Sequence, residues 1–176
     1  DCVLATFTIT PERKKNWDFS TPYYQDAVSV LVENKSEIHH LKDLLGKTVG
    51  VSSGSTSAKA LVQALIDNKL LDGKNFNADK FDPSTWKDGV KFHQFDNYPA
   101  ISTALAANEV QAFCVDKSIL NIYKTPTRGF IDEKFSPQEY GVVTKKGSGL
   151  SPFIDGLIKK WLADGTIEKL IKENNL

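Results

Sequence analysis

The sequence predicts an α/β protein built as two lobes, and three observations support that prediction. Short apolar runs alternate with amphipathic segments through the middle of the chain, which is typical of strands followed by helices. A long run at 22–34 alternates apolar and polar residues in its second half and is long enough to cross between two lobes. Near the end of the chain, two amphipathic helices at 151–163 and 166–172 carry apolar faces that must pack on another layer.

Each predicted element depends on a local signal. The strands are short runs rich in Val, Ile and Phe, at 1–7 (expected to be buried), 22–34, 47–51, 90–95, 110–115 and 140–144. The helices have a helical spacing of apolar residues or a helix-start signal, at 11–16, 41–45, 56–66, 99–107, 117–123, 151–163 and 166–172. Asn97, Asp116 and the hydroxyl groups before 56–66 are expected to cap helix starts, whereas Gly46 ends a helix. The polar stretch 67–88 is the loosest segment, and Trp86 is expected to pin it down.

The composition excludes several classes of function. The chain has 176 residues, of which 40% are apolar and 25% charged, so it can bury a core in one or two domains. Its 22 basic and 22 acidic residues give a net charge of zero, which argues against nucleic acid as a partner. No apolar stretch is long enough to span a membrane. No spacing of Cys and His matches a metal or redox motif, so neither a metal nor a cofactor is expected.

The two cysteines lie in apolar, strand-like runs. We expect Cys2 and Cys114 to be two buried free thiols. A disulfide between their strands stays open as an alternative, since it requires Cα atoms within about 7 Å of each other. Cysteine chemistry is therefore not expected to be the function.

Arg13 is the first candidate binding residue. It is one of two arginines in the chain and follows a strand-like run, hydroxyl residues and Pro11. A planar, permanently charged guanidinium grips a carboxylate through two parallel hydrogen bonds. Pro11 at a helix start is expected to add free backbone N–H groups and the positive end of a small dipole. The alternative is an ordinary strand-to-helix turn that carries a surface arginine.

Two strand ends supply further candidates. Ser52, Ser53, Gly54 and Ser55 link a strand to a helix start, an arrangement that binds anions and polar groups. This loop has neither a P-loop pattern nor a GxGxxG pattern, so a nucleotide is not expected. Asp116 ends another strand, at the sheet edge where open α/β sheets bind ligands. The alternatives are a well-capped helix after the loop and a plain N-cap role for Asp116.

Four motifs carry a resemblance to a known family. They are ATFTITPERKKNWDFSTPYYQDAVSVLV, GKTVGVSSGSTSAKAL, DNYPAISTALAANEVQAFCVDKSIL and QEYGVVTKKGSGL. In this order and spacing the chain resembles the polar amino-acid solute-binding proteins of ABC transporters, over nearly its whole length. The resemblance implies a type II periplasmic binding-protein fold, a clamshell of two lobes, and an extracytoplasmic location. It also implies a free amino acid as ligand and the membrane subunits of a transporter as partners.

The resemblance also implies an incomplete first lobe. The family normally carries a further segment before the first motif, and here that half of one lobe is expected to be absent or supplied by another segment. Residues 1–27 are expected to be a remnant of lobe 1 with the first hinge strand, 28–135 a complete lobe 2, and 136–176 the second hinge strand with the last helices of lobe 1. Exposed faces on those helices make a swapped homodimer a hypothesis.

The resemblance assigns roles residue by residue. Arg13, with Thr6 and Thr8, is expected to bind the carboxylate of the amino acid. Ser55 and Thr56 are expected to reach the same oxygens from the other lobe. Asp116 is expected to bind the ammonium group. Tyr98 is expected to contact the side chain of the ligand. Surface packing is the alternative for Tyr98.

Differences from glutamine-binding members of the family that the chain resembles favour an acidic ligand. Thr6 stands where glutamine-binding relatives often have Gly, and Ser52 stands where they often have Lys. We therefore expect glutamate or aspartate, with glutamine or asparagine next.

Two other classes of function stay open. Some relatives of this fold are dehydratases that act on prephenate or arogenate, and such chemistry requires a positioned general acid or base. His39 and His40 lie in a polar turn and His93 on an alternating strand, so no catalytic set is discernible and an enzyme is not expected. A ligand-sensing receptor module is the other alternative, since it would bind the same type of ligand.

Overall fold

The computed structural model describes residues 1–174 and residue 176 and shows an α/β fold, as the sequence predicts. The strands are β1 (Cys2–Val3), β2 (Trp17–Phe19), β3 (Tyr24–Glu33), β4 (Thr48–Ser52), β5 (Lys91–Phe95), β6 (Ala112–Asp116), β7 (Arg128–Phe130), β8 (Phe135–Tyr140) and β9 (Val143–Lys145). The helices are α1 (Arg13–Asn16), α2 (Ser57–Asp67), α3 (Tyr98–Ala106), α4 (Lys117–Tyr123), α5 (Leu150–Ala163) and α6 (Thr166–Glu173). A 3₁₀ turn covers Leu41–Leu44.

The chain divides into two compact units. The continuous unit is Ala27–Ser136, and the discontinuous unit combines Asp1–Asp26 with Pro137–Leu176. The chain passes between the units twice, within β3 and within β8.

The continuous unit is built on a mixed sheet in the order β5-β4-β6-β3-β7, with β8 also paired to β3. β4 runs parallel to both β5 and β6, whereas β3 runs antiparallel to β6 and β7. In the β4–β5 register, Ser52 lies opposite Phe95, so these two strands end at the same level. The three parallel strands therefore place their carboxyl ends, and the loops that follow, along one edge of the sheet.

Both faces of this sheet are covered by apolar side chains. Because side chains alternate across a strand, Val28, Val30 and Val32 of β3 belong to one buried cluster, which includes α2. Leu31, on the opposite face, belongs to a second cluster formed with α3 and α4. α3 approaches β4 closely at Gly50, where an added Cβ would lie 2.6 Å from Cγ2 of Ile101.

The polar stretch between α2 and β5 is held by aromatic rings. The Trp86 ring lies 5.9 Å from Phe76 and 5.6 Å from Phe81, and Phe81 in turn packs 6.2 Å from Phe92 of β5. The expectation that Trp86 anchors this stretch is confirmed.

The discontinuous unit has a smaller sheet in the order β1-β9-β2, with both outer strands antiparallel to β9. α5 and α6 follow β9 in the chain. Ile158 is the buried residue of α5, and the described part of α6 has none. This unit is therefore much less buried than the continuous one.

Two expectations about the first residues are wrong. The buried strand expected at 1–7 is reduced to Cys2–Val3, and both residues are exposed. β1 pairs with β9 along one side, but in the described part of the chain no apolar layer covers its side chains. Cys2 is an exposed free thiol and Cys114 a buried one, so the expected burial holds for Cys114 alone and the alternative disulfide is not formed.

No helix among residues 1–174 and 176 is long and apolar enough to cross a membrane.

Candidate functional site

The predicted binding residues of the discontinuous unit, Thr6, Thr8 and Arg13, form what we call the arginine cluster. Arg13 is half-buried and begins α1. Its Nη1 donates a hydrogen bond of 2.9 Å to the carbonyl oxygen of Thr8. Thr8 is only 7% exposed and forms an isolated antiparallel bridge with Tyr140, whereas Thr6 is exposed. The guanidinium is thus hydrogen-bonded to the backbone of a buried residue.

The free N–H groups expected at the start of α1 are not available. The N–H groups of Arg13 and Lys14 donate to Oγ1 and the carbonyl oxygen of Thr10, at 3.2 and 3.0 Å. The N–H of Lys15 donates to the carbonyl oxygen of Glu12 at 3.1 Å. This expectation is wrong for these three groups, because oxygen atoms of Thr10 and Glu12 within the same turn already accept from them.

Two residues of this cluster were missed by the sequence analysis. Thr10 caps the turn, and its position three residues before Arg13 is a signal that could have identified it. Phe7 lies under the guanidinium, with Cζ of Arg13 4.3 Å from the ring centroid. The Phe7 ring is also stacked on Phe19, at 6.0 Å and 26°. Nothing in the spacing of Phe7 and Arg13 predicts this contact.

The predicted binding residues of the continuous unit are Ser55, Thr56, Tyr98 and Asp116, which we call the strand-end cluster. Ser55 and Thr56 follow β4, Tyr98 follows β5, and Asp116 is the last residue of β6. Since β4 is parallel to both neighbours, the topology brings all four residues to one sheet edge, as expected for a ligand site in an open α/β sheet.

The polar side chains of this cluster do not serve as helix caps. Thr56 and Asp116 are the N-cap residues of α2 and α4, yet neither side chain makes the capping hydrogen bond in the described structure. Asn97, by contrast, caps α3 as predicted, with its Oδ1 accepting from the N–H of Ala100 at 2.9 Å. The alternatives that gave Thr56 and Asp116 a capping role are therefore wrong.

Ser55 adds an unusual hydroxyl to the same loop. Its Oγ is buried and has no hydrogen-bond partner among the residues that the structure describes. A buried hydroxyl without a partner costs free energy relative to a solvated one. Gly54, at φ +70°, makes the turn that carries Ser55 into this position.

Asp116 places a carboxylate in a buried setting, since the residue is 5% exposed. Its charge reaches Cys114 two residues earlier in β6. Burial raises the pKa of the Cys114 thiol well above its ordinary value, and the Asp116 carboxylate raises that pKa further. A buried thiol with a raised pKa is a poor nucleophile, because the thiolate is the reactive form.

Tyr98 begins α3 and is half-buried. Its ring packs on Phe113 of β6, with a centroid distance of 6.4 Å and an interplanar angle of 30°. The packing that was the alternative role for Tyr98 is thus present, and it fixes the ring at the same sheet edge as Asp116.

Across residues 1–174 and 176, no group of three or more His, Cys, Asp or Glu side chains is arranged to hold a metal ion. The arginine cluster offers a guanidinium and hydroxyls, and the strand-end cluster offers a carboxylate, hydroxyls and a phenol ring.

The family profile of the bacterial extracellular solute-binding proteins, family 3, matches residues 1–174. The chain belongs to this family. Among curated relatives, it is 29% identical to the glutamine-binding protein GlnH of an ABC transporter of Bacillus subtilis, over 98% of this chain and 57% of GlnH. It is 31% identical to the L-cystine-binding protein TcyJ of Escherichia coli, over 97% of this chain and 58% of TcyJ. This family 3 chain therefore spans less than two thirds of the length of these relatives.

A solved structure of similar sequence has the same fold. An ancestral arginine-binding protein bound to arginine superposes with a TM-score of 0.76 at 31% identity, over 98% of this chain and 70% of that chain. The type II periplasmic binding-protein fold is thus present, and the chain covers part of it.

Proposed function

We propose that this family 3 chain is the amino-acid-binding part of an extracytoplasmic solute-binding protein that serves an ABC importer. The observation that carries this proposal is the strand-end cluster, whose polar residues follow three parallel strands at one edge of the sheet. Such an edge is where open α/β sheets bind ligands. The buried Oγ of Ser55 would find in that ligand the partner that the described residues do not supply.

The groups match the common part of an α-amino acid. The Asp116 carboxylate, 5% exposed, suits an ammonium group, because the two carry opposite charges and form charge-assisted hydrogen bonds. The Arg13 guanidinium suits a carboxylate. Further backbone and hydroxyl groups for the carboxylate come from Thr6, Thr8, Ser55 and Thr56. Tyr98 is proposed to contact the side chain of the ligand.

The identity of the bound amino acid depends on how the site contacts the side chain of the ligand. The relatives named above bind glutamine, L-cystine and arginine, which share the α-amino and α-carboxyl groups and differ beyond them. We retain the sequence-based preference for glutamate or aspartate, with glutamine or asparagine next. It depends on Thr6 and Ser52 and on no contact in the structure.

The proposed mechanism is closure. The ligand binds to one unit first, and the other unit then closes over it through bending of β3 and β8, the two strands that cross between the units. The membrane subunits of the importer would recognise the closed form. The exposed faces of α5 and α6 are the surfaces on which a swapped homodimer would pair, and light scattering would detect that dimer as a doubled mass.

The first test is thermal unfolding of the chain with each of the twenty amino acids. A ligand at a hundred times its Kd stabilises the folded state by about 2.7 kcal/mol, which raises Tm by a few degrees. A rise with glutamate or aspartate supports the whole proposal, and a rise with another amino acid keeps the class and overturns the ligand preference. A transition that no amino acid moves contradicts the proposal, and turnover of prephenate in an absorbance assay would then favour the dehydratase alternative.

The second test removes the guanidinium. Arg13→Ala is expected to weaken binding by at least about a hundredfold, since a charged hydrogen bond is lost and nothing then offsets the desolvation of the ligand carboxylate. Lys15→Ala is the matched control, because Lys15 is an exposed cation on the same short helix. Isothermal titration that gives both variants the affinity of the parent would refute the assignment of Arg13.

A further inference from the structure

The guanidinium of Arg13 and two phenyl rings form a three-layer stack. Cζ of Arg13 lies 4.3 Å from the centroid of Phe7, and the Phe7 ring stacks in turn on Phe19 of β2. All three side chains are half-buried. Phe7 is thus held between a cation on one side and an aromatic ring on the other.

An aromatic ring stacked on the face of a guanidinium limits the motion of the guanidinium and leaves its N–H donors unused. The N–H groups of arginine lie in the plane of the group, so stacking leaves them to form hydrogen bonds at the edges. In this stack one edge is already fixed, because Nη1 donates to the Thr8 carbonyl oxygen at 2.9 Å. The ring fixes the tilt of the plane and the hydrogen bond fixes its rotation.

We infer that Phe7 is a positioning residue that orients the Arg13 guanidinium for two-point binding of a ligand carboxylate. This inference rests on the proposed function and extends it to a residue outside the predicted site. Bidentate binding of a carboxylate requires the two groups to be coplanar, so a guanidinium with a fixed plane loses less entropy on binding than a mobile one. A purely structural role, in which Phe7 fills space against Phe19, would leave the carboxylate preference unchanged.

The binding test compares amino acids with their α-amides. L-glutamate, L-glutamine and L-arginine, each with its α-amide, are titrated into the parent, Phe7→Leu and Phe7→Tyr. Phe7→Leu is expected to weaken binding of the free amino acid by about twofold to thirtyfold, the range of a cation–π contact, and to change binding of the amide much less. Phe7→Tyr keeps the ring and is expected to restore the preference of the parent. Phe153→Leu, a change at an exposed phenylalanine of the same unit, is the matched control and is expected to have no effect.

A second measurement observes Arg13 without a ligand. Since Arg13 and Arg128 are the two arginines of the chain, a ¹⁵N spectrum of the side-chain Nε–H groups contains two arginine signals, and Arg128 serves as the internal reference. Phe7→Leu is expected to remove the ring-current shift of Arg13 and speed its solvent exchange, while the Arg128 signal stays in place.

The outcomes separate this inference from the proposed function. Equal losses for amino acids and α-amides in Phe7→Leu, or an unchanged Arg13 signal, would overturn the positioning role even where the parent binds amino acids. A parent that binds neither these probes nor any other of the twenty amino acids would contradict the proposed function and, with it, the binding role of Phe7. The Nε–H spectrum would then still decide whether the ring holds the guanidinium.

Discussion

The two units of the chain stabilise themselves in different ways. The sheet of the continuous unit is covered on both faces by buried apolar clusters, which include residues of α2, α3 and α4. In the discontinuous unit α5 buries Ile158, and the described residues of α6 are all at least partly exposed. Most of the large apolar side chains that the structure shows exposed belong to this second unit, including Val3, Leu4, Trp17, Phe153, Trp161, Leu162 and Leu170.

Polar contacts join the two segments of the discontinuous unit. Oδ2 of Asp18, in β2, accepts from the N–H of Gly147 at 2.8 Å and from Oγ of Ser151 at 3.1 Å. Oδ1 of Asp155, in α5, accepts from the N–H and the hydroxyl of Thr21 at 2.6 and 2.8 Å. We therefore expect the continuous unit to depend mainly on packing, and the discontinuous unit to depend much more on these carboxylates.

The largest expected effect tests the packing of the continuous unit. Phe113 of β6 is fully buried, and its ring packs between Tyr98 and Tyr123 at 6.4 and 5.6 Å. Phe113→Ala should lower the free energy of unfolding by about 3–5 kcal/mol, because it removes a buried ring and leaves a cavity in the core. Urea unfolding, followed by circular dichroism, measures the change.

The matched variant for this experiment is Phe153→Ala in α5. Phe153 is 62% exposed, so the same chemical change should cost less than about 0.5 kcal/mol. Similar losses for the two variants would show that the face around Phe153 is covered in solution, and would remove the contrast between the units.

A smaller effect is expected from the buried ion pair of the continuous unit. Nε of Arg128, whose side chain is 8% exposed, lies 2.8 Å from Oε1 of Glu33, and its Nη1 and Nη2 donate to Ser102 Oγ and the Ser102 carbonyl at 2.8 and 3.0 Å. Arg128→Ala should lower the free energy of unfolding by about 2–4 kcal/mol, because it leaves the Glu33 carboxylate without its partner.

The control for Arg128 comes from the exposed pair of α6. Lys172 and Glu168 lie 2.6 Å apart but are 73% and 70% exposed, so Lys172→Ala should change the free energy of unfolding by less than about 0.5 kcal/mol. Urea unfolding of both variants at low and high salt separates the pairs, since salt weakens the exposed one and barely affects the buried one. Equal salt sensitivity would contradict the burial of Arg128.

The elements of the continuous unit could be predicted from the sequence because each carries its own signal. Alternation within β3, helical spacing in α2 and the Asn97 cap of α3 are local patterns, and the structure confirms all three. The strand expected at 1–7 failed because burial depends on what lies opposite. Alternation and apolar content cannot predict that, among the described residues, no apolar layer covers the side chains of β1.

The candidate site shows the same limit at the level of side chains. Strand ends and residue types identified Asp116 and Thr56 as candidates, but the capping rules also gave them a role within the fold that they do not have. The contact between Phe7 and Arg13 depends on how the turn at Thr10 folds the chain back. Because these two side chains meet only when the chain folds, their distance cannot be predicted from their spacing in the sequence.

The smallest effect tests the polar contacts of the discontinuous unit through pH. The Lys159 ammonium, followed by the Thr21 N–H and hydroxyl, lowers the pKa of Asp155 from 3.8 to about 2. Because the folded pKa lies below the unfolded one, the stabilisation is complete above pH 3.8 and is lost as pH falls toward about 2. It should amount to about 1–2 kcal/mol, less than the full shift would give, since the side chain is 28% exposed.

Asp155→Asn isolates this contribution from the other carboxylates. Urea unfolding of parent and variant at pH 7 should differ by that amount, and the difference should shrink at pH 3 and nearly vanish at pH 2. Asp82→Asn is the control in the continuous unit, because Asp82 is an exposed carboxylate that bonds to Ser84 within its own turn. A gap between parent and Asp155→Asn that persists unchanged to pH 2 would mean that the Asp155 carboxyl joins the segments through its neutral hydrogen bonds to Thr21 rather than through its charge.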